Sequence, residues 1–142
     1  MPLFLADTSI WAWADQGSRP DITSKLAQRF ERGEIATCAP IVLEMLHRAP
    51  SGTQYDRLFR DLIQPLVWCD LEEARCRRAL DVQRQLAHTT DGNHRRPAVD
   101  FLIAAVAEKA REPAVLWFFD KDLRLICEHT GQPFEAESAV AR

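Results

Sequence analysis

Short apolar runs alternate along the chain with stretches of helical periodicity, and this alternation constrains the fold more than any other feature. Residues 3–6, 35–38 and 114–119 are apolar runs of strand length. Between them, segments such as residues 21–32 and 98–110 carry apolar side chains at helical spacing. Strands separated by helices predict an α/β fold, with a mainly parallel sheet flanked by helices on both faces.

The chain has the length of one domain and shows no linker, repeat or low-complexity segment. We therefore expect residues 1–142 to form a single domain with its own core. Its apolar stretches are too short to cross a membrane, and the first six residues lack the basic start of a secretion signal. The four cysteines are dispersed and show no zinc-site spacing. A cytosolic protein with reduced thiols is expected.

Four acidic residues lie within or directly beside apolar runs: Asp7 and Asp120 follow predicted strands, and Glu44 and Asp100 lie within predicted apolar helices. Each alone has an ordinary explanation as a helix cap, a first-turn acid or a surface side chain. Buried carboxylates, however, are strongly unfavourable unless they are paired or bound to a cation. Four of them in one ordered pattern predict a shared site for Mg²⁺ or Mn²⁺, because oxygen ligands without histidine suit these ions.

A site of this kind hydrolyses phosphodiesters, because divalent ions activate water and neutralise the charge that develops on the phosphate. The formal net charge of −3 at first argues against a nucleic-acid substrate. The four site acids alone outweigh that charge, so the rest of the chain is slightly basic. Arg95 and Arg96, a few residues before Asp100, are candidates for contacting RNA phosphates.

Four sequence blocks carry a resemblance to a known family. They are residues 5–9 (LADTS), Glu44 in a short apolar helix, residues 100–105 (DFLIAA) and residues 119–122 (FDKD). In order and spacing they resemble the acidic blocks of PIN-domain ribonucleases, and most closely those of VapC-type toxins of bacterial toxin–antitoxin pairs. The resemblance covers nearly the whole chain.

The resemblance implies a three-layer α/β/α PIN-like fold and a metal-dependent endoribonuclease. Its metal ligands and catalytic residues would be Asp7, Glu44, Asp100 and Asp120, with a hydroxyl of Thr8 or Ser9 in support. It also implies a small antitoxin that inhibits cleavage, and a homodimer. Trp11 and Trp13 add apolar surface that such contacts would cover.

Two questions stay open at this point. The last block departs from the family pattern at Phe118 and Leu123, so the fourth acid is either Asp120 or Asp122. We favour Asp120, which follows the strand, while Asp122 is placed to cap the next helix. The alternative function is an acidic phosphatase-like enzyme or a noncatalytic binding module. A phosphatase of that kind usually has a second aspartate where this chain has Ser9.

Overall fold

The computed structural model describes residues 2–89, 91–109 and 114–138. The strands within these ranges are β1 (Leu3–Ala6), β2 (Ile35–Thr37), β3 (Val67–Trp68), β4 (Ala114–Phe118) and β5 (Phe134–Ala136). The helices are α1 (Thr8–Gln16), α2 (Pro20–Glu31), α3 (Ala39–His47), α4 (Gly52–Leu58), α5 (Glu73–Thr89), α6 (Ala98–Glu108) and α7 (Lys121–Thr130). A π-helical turn, Phe59–Ile63, continues α4.

The strands form one parallel sheet in the order β3-β2-β1-β4-β5. The chain moves outward from β1 to β2 and β3, and then places β4 and β5 on the other side of β1. The strand order therefore reverses between β1 and β4. In open parallel sheets ligands bind beyond the carboxyl ends of the strands at this point.

Helices cover both faces of the sheet, as the sequence pattern predicts. Successive residues of a strand face opposite sides, so Leu5 and Ala6 belong to different cores. Leu5 packs in the larger core with apolar residues of α5, α6 and α7, whereas Ala6 packs with Ile10 of α1 and Ile22 of α2. The expected α/β architecture with three layers is confirmed.

Most predicted elements appear within a few residues of their expected ends. Helix α4 begins at Gly52, because the Ser51 side chain accepts a hydrogen bond from the Gln54 backbone N–H and caps the helix. The expected end of α6 at Ala110 lies outside the described residues. Among the helices described, none combines the length and apolar character needed to cross a bilayer.

Arg29 of α2 contacts three strands of the sheet. Its guanidinium carbon lies 3.6 Å from the ring centroid of Phe4 and 4.4 Å from that of Trp117. The same group donates two hydrogen bonds, of 2.6 and 3.0 Å, to the Glu135 carboxylate on β5. Because this bidentate ion pair lies over aromatic faces, it stabilises the packing of α2 on β1, β4 and β5.

Candidate active site

Asp7 lies at the carboxyl end of β1, where its backbone N–H donates to the Trp117 carbonyl of β4 at 2.9 Å. Its Oδ2 accepts hydrogen bonds from the Ser9 hydroxyl at 2.7 Å and from the Ser9 backbone N–H at 3.2 Å. Asp7 is therefore the N-cap of α1, as well as a candidate ligand. Burial raises the pKa of Asp7, although these hydrogen bonds oppose the shift.

Ser9 connects the two strand ends at the point where the strand order reverses. Its hydroxyl group donates to Asp7, and its oxygen accepts from the backbone N–H of Phe119, just after β4, at 3.1 Å. One hydroxyl thus fixes the spacing between the segments that carry Asp7 and Asp120. The support expected from Thr8 or Ser9 is provided to Asp7 by Ser9.

Asp100 lies in the first turn of α6 and is only 7% exposed. Its Oδ2 is buried and has no hydrogen-bond partner among the described residues. Burial raises its pKa to about 8, and the negative charges of Asp120, Asp7 and Asp122 add to the shift. A buried carboxylate with an unpaired oxygen is costly for the protein alone, and a cation would remove that cost.

Asp120 and Asp122 complete an acidic cluster with Asp100. Each of the three carboxylates offers an oxygen, and these oxygens lie within 4.8 Å of one another. Asp120 is the N-cap of α7, and its Oδ1 accepts from the Asp122 backbone N–H at 2.7 Å. The expectation that Asp122 caps this helix is therefore wrong, because the chain turns into the helix directly after Asp120.

Asp122 has a different partner, the guanidinium of Arg96, whose Nη1 donates to the Asp122 carboxylate. Arg96 also donates to the backbone carbonyl of Asn93 at 3.1 Å and to its side-chain oxygen at 3.3 Å. The Arg96 side chain is only 14% exposed. It is occupied within the protein and does not face solvent as a free phosphate contact, whereas Arg95 is exposed.

Glu44 lies apart from this cluster, on the exposed side of α3. The helix buries Ile41, Val42 and Leu46, so the apolar sequence around Glu44 does not bury Glu44 itself. The Thr8 hydroxyl donates to Glu44 Oε2 at 2.8 Å, which links α3 to the start of α1 beside Asp7. The buried setting expected for Glu44 is therefore wrong, but its side chain is held next to the residue that follows Asp7.

An apolar groove of about 470 Å³ begins at this contact. Thr8 and Glu44 line one part, and the remaining wall is formed mainly by apolar side chains of α1, α3 and the segment around α4, among them Trp11, Met45, Leu58 and Leu62. Trp13, by contrast, stacks on Phe119 with ring centroids 5.0 Å apart. The groove depends on how three helices pack, so its shape has no local sequence signal.

The described residues fit a divalent cation. Carboxylate oxygens are the ligands that Mg²⁺ and Mn²⁺ prefer, and no histidine belongs to the cluster of Asp100, Asp120 and Asp122. The buried and unpaired Asp100 Oδ2 is an oxygen that a cation at this position would satisfy. Asp7 is close enough for its charge to add to the upward shift of the Asp100 pKa.

Comparison with known proteins agrees with this geometry. The family model of the PIN domain matches residues 4–128, and the chain belongs to the PIN-domain family. A curated relative, Ribonuclease VapC18 of Mycobacterium tuberculosis (strain ATCC 25618 / H37Rv), is 33% identical over 134 residues, which cover 94% of this chain and 93% of the relative.

Solved structures show the same fold. VapBC from Salmonella typhimurium, crystallised with bound DNA, matches with a TM-score of 0.72 at 16% identity, covering 96% of this chain and 98% of that chain. VapBC2 from Rickettsia felis, bound to a DNA fragment from its promoter, matches with a TM-score of 0.71 at 16% identity, covering 96% and 99%. The resemblance to VapC-type PIN proteins is confirmed, and the family match favours a nuclease over a phosphatase-like enzyme.

Proposed function

We propose that the chain is a divalent-metal-dependent endoribonuclease and the toxin component of a type II toxin–antitoxin pair. The observation that carries this proposal is the convergence of carboxylates where the strand order reverses, with a buried and unpaired oxygen on Asp100. The relative named Ribonuclease VapC18 supports RNA as the substrate. The VapBC neighbours support a small antitoxin as the partner.

In this proposal Asp7, Asp100 and Asp120 hold Mg²⁺ or Mn²⁺. Glu44 takes part from the edge of the site. When bound, the ion supplies Lewis acidity that activates water and neutralises charge on the phosphodiester. Ser9 orients Asp7 through its hydroxyl, and the Asp122 backbone N–H orients Asp120. Thr8 holds the Glu44 carboxylate beside the strand end, where Glu44 can accept a proton from water at the entrance.

The substrate that suits this site is a short unpaired stretch within a structured RNA. Hydrolysis by activated water makes no use of the 2′-hydroxyl, so selection of RNA must come from shape and contacts. Arg95 is exposed in the loop before α6 and is available to phosphates. Isolated basic side chains such as this one fit a single strand better than an extended duplex.

The apolar groove is the surface we assign to the antitoxin. It opens next to Thr8 and Glu44, so a peptide seated on Trp11 and Met45 would reach the Glu44 side chain, to which we assign a part in the reaction. Inhibition would then follow from the same contact that gives binding. A homodimer and a cytosolic location complete the proposal, and sedimentation as a strict monomer at micromolar concentration would contradict the dimer.

The enzymatic proposal is tested with purified protein and total cellular RNA in Mg²⁺ or Mn²⁺. Wild type and the control D81N, altered at an exposed aspartate of α5, should both cleave the RNA. D100N should lose at least about 100-fold in rate, because the ion loses a buried ligand. Cleavage that persists in excess chelator, or in D100N, would contradict the assignment.

A further inference from the structure

Arg96 brings a positive charge into the acidic site. The loop of residues 91–97 leads into α6, and the Arg96 guanidinium reaches across it to the first turn of α7. The two partners are 26 positions apart in the chain. The guanidinium group of Arg96 donates hydrogen bonds to Asp122 on one side and to the carbonyl and side-chain oxygens of Asn93 on the other.

The surroundings of Arg96 restrict what its charge can do. Its side chain is 14% exposed and that of Asp122 is 26% exposed, so the pair is shielded from most of the solvent. Asp122 also contributes to the acidic cluster with Asp100 and Asp120. A charge-assisted contact between Arg96 and Asp122 therefore cancels one negative charge at the edge of the cluster.

We propose that Arg96 is a positioning residue that neutralises Asp122 and holds the 91–97 loop against α7, so that Asp122 is not an ion ligand. The ion then falls to Asp7, Asp100 and Asp120, none of which is paired with an arginine or lysine in the part of the chain that the structure describes. This inference rests on the proposed metal-dependent function. It also decides between Asp120 and Asp122, which the sequence leaves open.

The proposal has a specific electrostatic consequence. Removal of Arg96 alone leaves Asp122 as an additional uncompensated charge, which attracts a divalent ion and should tighten binding. Removal of Asp122 alone leaves Arg96 as an uncompensated cation, which repels the ion and should weaken binding. Removal of both keeps the net charge of the site, so affinity should return close to that of wild type.

The experiment is a double-mutant cycle of Mn²⁺ affinity, measured by titration calorimetry on wild type, R96M, D122N and R96M/D122N. We expect R96M to bind Mn²⁺ about tenfold more tightly and D122N about tenfold more weakly, from the Coulomb energy of one unit charge near a divalent ion. The double variant should lie within about threefold of wild type. R96Q replaces R96M with the same expectation if R96M does not fold.

Arg95→Met is the matched control, because it removes the same charge from the neighbouring, exposed position. It should change Mn²⁺ affinity by less than about twofold, since solvent screens an exposed charge. A purely structural role for Arg96 would lower stability without tightening Mn²⁺ binding, and that result would overturn the proposal.

Two further outcomes separate this inference from the function on which it rests. If R96M/D122N binds Mn²⁺ as poorly as D122N, or more poorly, Asp122 is a ligand and the Arg96 proposal is wrong, while the metal site stands. If wild type binds no Mn²⁺, or if D100N does not abolish the binding, both the metal site and the role of Arg96 are wrong.

Discussion

Replacing Asp100 with Asn should stabilise the metal-free protein at neutral and alkaline pH. Asp100 is 7% exposed, its Oδ2 is unpaired, and its folded-state pKa is about 8, against an ordinary value of 3.8. Because the folded pKa is raised, the favourable contribution of the protonated acid is complete below pH 4 and is lost as pH rises through 8. Asn keeps a neutral side chain at every pH and avoids that loss.

The size of the effect follows from the shift. A raise from 3.8 to about 8 corresponds to about 5 to 6 kcal/mol between the acid and alkaline limits. We expect D100N to recover about half of this, about 2 to 3 kcal/mol, because the effective dielectric constant around a buried group in a protein is higher than that of a dry interior. For a domain of this size that raises Tm by roughly 6 to 12 °C at pH 8.

The assay is thermal unfolding in excess chelator from pH 4.5 to pH 9, with D81N as the exposed-aspartate control. The stability advantage of D100N should be small at pH 4.5 and grow as the pH rises, and D81N should track wild type within about 0.5 kcal/mol. Added Mn²⁺ should raise the Tm of wild type and leave that of D100N nearly unchanged. A D100N protein that is less stable than wild type at pH 8 in chelator would refute the reasoning.

Three further substitutions test other parts of the site and fold. Ser9→Ala removes the donor to Asp7 and the acceptor for the Phe119 N–H, so it should cost about 1 to 3 kcal/mol in chemical denaturation and weaken Mn²⁺ binding. Glu44→Gln should slow RNA cleavage while changing metal-free stability by less than about 0.5 kcal/mol, because Glu44 is exposed. Arg29→Ala should lower stability by about 2 kcal/mol through lost packing and ion pairing, with the cleavage rate of the folded protein unchanged.

The sheet and its helices could be predicted because their signals are local. The runs that become β1, β2 and β4 are apolar and short, and the helical periodicity of α2 and α6 spans several turns. Both strand-end acids were also predictable, since the carboxyl ends of parallel strands share one edge of the sheet. These features need only a few neighbouring residues to be recognised.

The parts that sequence reasoning missed depend on contacts between distant segments. Asp122 and Arg96 are 26 positions apart, and nothing in either local sequence indicates that they pair. Glu44 was expected to be buried because its neighbours in the chain are apolar. The orientation of α3 places Ile41 and Leu46 in the cores and leaves Glu44 exposed. The choice of Asp120 over Asp122 as the cap of α7, likewise, depends on the residue at which that helix begins.

The chemistry of the cut ends tests the central claim most directly. RNA cleaved by the wild-type protein in Mn²⁺ is mapped for its terminal groups, with a D100N reaction as the background. Attack by activated water predicts a 5′-phosphate on one product and a 3′-hydroxyl on the other, both absent from the D100N reaction. Products that end in a 2′,3′-cyclic phosphate would mean that the 2′-hydroxyl is the nucleophile, and would contradict a metal-dependent hydrolysis at Asp7, Asp100 and Asp120.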